Sequence, residues 1–390
     1  MVRRVTIDRV ILIVLDSLGA GTTSNASDEE RHAGVPTSRP ANGLRLPNLE
    51  RLGLGNVSTI EGVAKVGSPQ AACGRLCRHS VGRDPTTGYW ELAGLEVDQP
   101  FATFPNGFPR DLIEAFEGHT GRGVLGNRQA SGQEMLDECA AEHMESGHWI
   151  VYTSPQSVLQ LAAHEDLISR EELADSCRLA QRLATRHRLG CVIARPFKGP
   201  RQGQYEFTSR RREYPLPPPR PTVLDSLTAQ GLPVVGIGRI SDFFAGRGVV
   251  EQINSQGNTD GMIKTVEAMA RLDRGLFMIH LDRIDTRLGK PSAHRGHERF
   301  LEEFDVQLAM LLSRSSDTDL LLITAHQASP AGAAPPAAAE RVPILAAGPA
   351  KAAGINLGNR RSFADVGATI AEIFGVAAPP AGESFLEDIA

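Results

Sequence analysis

The sequence predicts an α/β protein: a doubly wound, mainly parallel sheet core, with a second α/β domain inserted into it. Three observations carry that prediction. The run Val10-Ile11-Leu12-Ile13-Val14-Leu15 has no polar interruption, as suits a strand buried on both faces of a parallel sheet. Beyond residue 222, short apolar runs alternate with helix-like stretches in a βα rhythm. Between them, residues 215–221 hold five prolines in seven positions, a stiff connector that marks a domain boundary. The expected organisation is a discontinuous core domain over 1–98 and 222–390 and an inserted cap domain over 99–221.

The chain has 390 residues, 41% of them hydrophobic and 22% charged, with a formal net charge of −5. This is an ordinary globular composition, and its charge argues against a general nucleic-acid or membrane-surface binder. No apolar run approaches the roughly 18 residues of a membrane span. The first residues carry two arginines but no small-residue cleavage site, so a cytoplasmic protein is expected. The five cysteines are scattered; Cys73 and Cys77 lack a second pair at zinc spacing, so free thiols in a reducing compartment are expected.

The first strand stops at Asp16, Ser17 and Gly19. Strand carboxyl ends line the crevice of open α/β sheets, so Asp16 is a candidate site residue; it equally suits a turn or a cap. Residues 20–45 read as a long polar loop, and 46–55 as a short amphipathic helix closed by glycine. Residues 82–91 are dense in turn formers and hydroxyls and open a helix at Trp90; hydroxyls there either cap the helix or hold phosphate. Helices are expected over 111–117, 133–145 and 170–188, strands over 149–153 and 191–195, and a basic turn over 209–213. After the proline connector come helices over 222–230, 259–272, 298–314 and 363–374 and strands over 233–238, 275–281, 319–324 and 342–345. Residues 332–339 are low in complexity and read as a loop.

Several blocks match a known pattern: Val14-Leu15-Asp16-Ser17-Leu18-Gly19, Leu46-Pro47-Asn48-Leu49, Gly88-Tyr89-Trp90-Glu91-Leu92-Ala93-Gly94, Ala130-Ser131-Gly132, Tyr152-Thr153-Ser154 and Val192-Ile193-Ala194-Arg195-Pro196-Phe197. On these the chain resembles the phosphopentomutase family of the alkaline phosphatase superfamily over nearly its whole length. The resemblance implies a two-metal phosphotransferase core with an inserted cap. It implies transfer of phosphate between the 1 and 5 positions of ribose or deoxyribose, through a phosphothreonine and two manganese ions.

Position by position, the resemblance is uneven. Asp16 and Asp285 match two of the family's six metal ligands. Where the family next has histidine, this chain has Lys290; where it reads Ala-Asp-His-Gly, this chain reads Ala325-His326-Gln327-Ala328. The last family histidine falls in the alanine run ahead of Glu340-Arg341-Val342-Pro343. Proline stands at the phospho-acceptor position, in Arg83-Asp84-Pro85-Thr86-Thr87, with Thr86 one place along. Asp16, Asp84, Thr86 and Lys290 are the candidate catalytic residues, Lys290 supplying an ammonium where a metal stood. Asp16, Asp285 and His326 are the residual metal candidates, with His294 a possible fourth ligand of a single ion. The resemblance places sugar-phosphate contacts at Arg195, Arg211 and Arg239, and Gln156 stands where the family has a substrate-contacting aspartate. The expectation is a phosphopentomutase-like protein that has lost dimetal phosphotransfer and needs no cofactor. It keeps a phosphorylated pentose or nucleotide-like anion as its small-molecule partner, as a binding protein or a metal-free enzyme. The alternative is an active, manganese-dependent phosphopentomutase working through Thr86 and a rearranged site.

Overall fold

The computed structural model describes residues 6–16, 18–19, 44–82, 84–154, 157–282, 295–328 and 340–390, with only the backbone for 295–297. The chain divides into two compact units, Met1–Gln99 with Pro218–Ala390, and Pro100–Pro217. The larger unit opens with β1 (Arg9–Leu15) and β2 (Ala72–Cys77). The smaller holds β3 (Val124–Gln129), β4 (Trp149–Thr153), β5 (Val158–His164), β6 (Cys191–Lys198), β7 (Glu206–Phe207) and β8 (Arg212–Pro215). The larger resumes with β9 (Val234–Ile237), β10 (Glu251–Ile253), β11 (Gly275–Leu281), β12 (Asp319–Ala325), β13 (Arg341–Ala347) and β14 (Asn356–Arg360).

In the larger unit the sheet order is β10-β9-β11-β1-β12-β13-β2-β14. Every neighbouring pair is parallel except that β13 runs antiparallel to both β12 and β2. The expected mainly parallel α/β core is therefore present. Its most apolar strand, β1, lies between β11 and β12, and Val10–Leu15 are all buried. Registry pairs Leu15 with both Leu281 and Ala325, so the three strands finish level and present their next residues side by side. At the other end the Arg9 guanidinium grips the Asp319 carboxylate through two bonds of 2.6 and 2.7 Å, tying β1 to β12.

In the smaller unit the order is β3-β4-β5-β6-β7, with β8 also on β6. Its sheet is covered on both faces, and the period of two shows how. Trp149 and Val151 of β4 join a cluster with Leu112, Phe116, Leu173 and Cys177, from the Arg110–Thr120 and Arg170–Ala184 helices. The alternate residues Ile150 and Tyr152 join Met135, Leu136 and Ala140 of the Gly132–Ser146 helix. Both ends of this unit dock on one loop: Ala102 N–H donates to the Arg188 carbonyl (2.9 Å) and Leu216 N–H to that of Gly190 (3.2 Å). In the larger unit the flanking segments also meet, Val223 N–H donating to Ala93 (3.0 Å) and the Arg220 guanidinium to Glu96 O (3.2 Å).

Three local expectations need correction. The helix expected from Trp90 begins five residues earlier, at Pro85, because proline suits the first helical position and Asp84 caps it. The basic turn over 209–213 is a turn only at its start; Arg212 and Glu213 lie in β8, paired antiparallel with Ala194 and Ile193. The helix expected to reach residue 188 ends at Ala184 and continues as a tighter turn over Thr185–His187. Strands β2, β3, β5, β7, β10 and β14 lie outside the sequence prediction. Of the loop expected over 20–45, residues 20–43 lie outside the described residues, as does the loop expected over 332–339.

Candidate functional site

Three level strand ends form the floor of the candidate site in the larger unit. Asp16 follows β1, His326 and Gln327 follow β12, and His280 sits one residue from the end of β11. Asp16 N–H donates to the Leu281 carbonyl (3.0 Å) and Leu18 N–H to that of Gln327 (3.3 Å), which holds the segment after β1 against both neighbours. The Gln327 amide donates to Asp16 Oδ1 at 3.2 Å, and His326 Nε2 lies 3.6 Å from the same oxygen.

The Pro85–Leu92 helix supplies the wall. Asp84 is its N-cap: one carboxylate oxygen accepts from Thr87 N–H (2.9 Å), the other from the Thr87 hydroxyl (3.0 Å). Burial pushes the Asp84 carboxyl up from the ordinary carboxylate value, against the opposing pull of those bonds and of Arg78. Thr86 is half-buried in the first turn. Gly88 must be glycine, since a Cβ there would come within 2.6 Å of the His326 carbonyl oxygen. That contact seats the helix directly on the end of β12.

The next residue, Tyr89, is stacked between Phe243 (ring centroids 4.1 Å apart) and His326 (5.1 Å). Its hydroxyl meets His280 Nδ1 at 2.5 Å. Burial drives both histidines toward the neutral form: His280 is pushed down to about 3, helped by Arg239, and His326 well below its usual value. Burial also raises Tyr89 well above 10. Tyr89 therefore donates and a neutral His280 accepts. Neither ring nitrogen of His326 has a hydrogen-bond partner.

A fixed cation lies behind this wall. Arg78, with 2% of its surface exposed, pairs with buried Glu340 at 3.2 Å and donates to the Thr87 hydroxyl at 2.7 Å and the Asp84 carbonyl at 3.1 Å. Glu340 also accepts from Ala328 N–H at 2.6 Å, just past Gln327. Sequence reasoning missed Arg78, Glu340 and the Tyr89–His280 pair. The only signal was a charged residue at the end of an unrecognised strand, β2.

The structure thus brings Asp16 and His326 together, and seats the helix carrying Asp84 and Thr86 on the same strand end. Arg239 belongs to this unit as well, paired with Asp242 (3.4 Å) and 5.6 Å from the Phe243 ring centre. Arg195 and Arg211 belong to the smaller unit, where both lie close enough to Tyr152 to act on its charge. Asp285, Lys290, His294 and Gln156 lie outside the described residues.

As metal donors, Asp16 and the unpartnered imidazole of His326 have the right chemistry for one divalent cation. Among the described residues no group of three histidine, cysteine or carboxylate side chains could hold an ion, so they do not by themselves fit a pair of cations. No helix among them is long and apolar enough to cross a membrane.

A metalloenzyme superfamily model matches residues 8–378. A phosphopentomutase of Clostridium novyi (strain NT) is 45% identical over 389 residues, covering 98% of this chain and 99% of that protein. Phosphopentomutases of Syntrophotalea carbinolica and Dictyoglomus turgidum are 43% and 42% identical over 383 and 386 residues, covering 97% and 98% of this chain and the same shares of their own.

Proposed function

We propose that this chain, which belongs to the phosphopentomutase family of the alkaline phosphatase superfamily, interconverts the 1- and 5-phosphates of ribose or deoxyribose, with the Thr86 hydroxyl as the phosphoryl acceptor. The observation that carries this reading is identity of 45% to a phosphopentomutase across 98% of the chain. The geometry is compatible with it. Thr86 lies in the first turn of a helix, where backbone N–H groups and the helix dipole favour a phosphoryl group. Two residues on, Gly88 packs against His326, the neighbour of Asp16. Metal dependence belongs to this reading: Asp16 and His326 would donate to the cation, which would supply positive charge at the phosphoryl oxygens.

A second reading, a protein that holds the sugar phosphate without dimetal transfer, is favoured by one observation. The Gln327 amide donates to Asp16 Oδ1, occupying an oxygen that the first reading gives to the metal. Manganese-dependent turnover of ribose 1-phosphate separates the two. The first reading expects turnover abolished by chelator. It also expects loss by about a thousandfold or more in Thr86→Ala, with phosphate on Thr86 seen by mass spectrometry of the wild-type protein alone. No turnover with manganese, together with a thermal midpoint raised by ribose 5-phosphate, would establish the second reading instead. Full turnover in Thr86→Ala removes Thr86 from its role.

A further inference from the structure

The Pro85–Leu92 helix carries two adjacent threonines in unlike surroundings. Thr86 is half-buried, whereas Thr87 is 0% exposed. Both hydrogen-bonding roles of the Thr87 hydroxyl are taken: it accepts from Arg78 Nη2 at 2.7 Å and donates to the Asp84 carboxylate at 3.0 Å. A buried hydroxyl engaged in this way is a poor acceptor for a phosphoryl group. It serves as a fixed point instead.

Arg78, the residue after β2, bonds the chain on either side of Thr86, because the same Nη2 also donates to the Asp84 carbonyl at 3.1 Å. Its own place is set by Glu340, the residue before β13, at 3.2 Å. Glu340 in turn accepts from Ala328 N–H, beyond β12, at 2.6 Å. The first turn of the helix is thereby tied to the ends of three strands. Contacts at two successive residues then fix how the helix lies: the stiff, β-branched Thr87 side chain is pinned to Arg78, and Gly88 rests on the His326 carbonyl. Stability alone gives little reason for this arrangement. A buried ion pair is often no more stabilising than apolar residues of the same volume, so Arg78 and Glu340 contribute chiefly direction.

We propose that Thr87 is a positioning residue for the phosphoryl acceptor: its hydroxyl, held between Arg78 and Asp84, fixes the direction in which the neighbouring Thr86 hydroxyl is presented. This rests on the mutase reading above, in which Thr86 takes the phosphoryl group. In this role Thr87 touches neither the substrate nor the transferred group. A reacting hydroxyl displaced by about 1 Å loses about a hundredfold in rate, while contacts to the sugar phosphate elsewhere are untouched. The expected signature is therefore a fall in kcat at unchanged KM.

The test is manganese-dependent turnover of ribose 1-phosphate by wild type, Thr87→Val and Thr87→Ser, well below their melting midpoints. Thr87→Val keeps the branched shape and loses the hydroxyl; Thr87→Ser keeps the hydroxyl. In Thr87→Val, kcat is expected to fall about ten- to a hundredfold with KM unchanged, and in Thr87→Ser to stay within about threefold of wild type. A merely structural threonine would lower the melting midpoint of Thr87→Val and leave kcat of the folded protein as it was; that result overturns the proposal. So does a Thr87→Ser variant as slow as Thr87→Val, or phosphate found on Thr87 by mass spectrometry. Should Thr87→Val not unfold cooperatively, Thr87→Cys, with the shape of serine and a weakly bonding thiol, carries the same prediction. Absence of turnover by wild type sinks the mutase reading and this proposal together, whereas wild-type turnover that Thr87→Val matches sinks this proposal alone.

Discussion

Histidine protonation at the end of the central sheet is decided by burial. His280 and His326 are held neutral in the folded protein, and His143, in the smaller unit, is also shifted down by burial. In the unfolded chain each titrates near 6.5. The folded values are depressed, so below pH 6.5 the unfolded state binds protons that the folded state refuses, and stability falls with pH. Each histidine contributes up to about 1.4 kcal/mol per pH unit in this window, which for His280 extends down to about 3. Urea unfolding at pH 7, 6 and 5 should show flat stability above about 6.5 and a decline below it. His280→Gln, which keeps an acceptor for Tyr89, should make that decline shallower; an unchanged slope would refute the assignment. At this scale Asp16 stands out in the sequence because it directly follows the apolar run Val10–Leu15, whereas His326 enters only through the family resemblance. Arg78 does not stand out, because the glycine-broken string Ala72-Cys73-Gly74-Arg75-Leu76-Cys77 does not announce the strand that delivers it.

Between elements, the Pro47–Leu52 helix has no cap of its own: Leu46 offers no side-chain acceptor. Asp305, on the Arg295–Leu312 helix, does the work from a distance. Its carboxylate accepts from Asn48 N–H at 3.1 Å, Leu49 N–H at 2.7 Å and the Asn48 amide at 2.9 Å, with 1% exposure. Asp305→Ala strands those buried donors and should cost about 3 kcal/mol, Asp305→Asn about half as much. Denaturant midpoints measure both, and a loss under 1 kcal/mol for the alanine variant would count against the cap. The same scale explains which elements could be read. β1, β11 and β12 are dominated by apolar residues between turn signals, the pattern of a strand buried on both faces. β2 (Ala72-Cys73-Gly74-Arg75-Leu76-Cys77) and β3 (Val124–Gln129) are broken by glycine and polar side chains, and form because paired neighbours complete their ladders. Pro85 was a helix-start signal present in the sequence but outweighed by the turn formers around it.

On the scale of the whole molecule, the smaller unit begins and ends on one loop, and in the larger unit the segments on either side of the interruption are bonded to each other. Such an arrangement lets each unit close its own chain. Replacing residues 100–217 by a short Gly-Ser linker should leave a protein that unfolds cooperatively with native near-ultraviolet dichroism; a molten product would show that the larger unit depends on the smaller.

The central position of β1 also sets the order in which the protein can be made. Its partners on both sides come from β11 and β12, and the nearer of them begins at Gly275. At ribosomal speeds of about 5–20 residues per second, the segment Arg9–Leu15 waits roughly 15–50 s before either neighbour has been synthesised. In that interval six consecutive apolar residues have no sheet to join, while the smaller unit, complete by Pro217, already has everything its own core requires. The amino terminus of the nascent chain is therefore where a holding chaperone has most to protect.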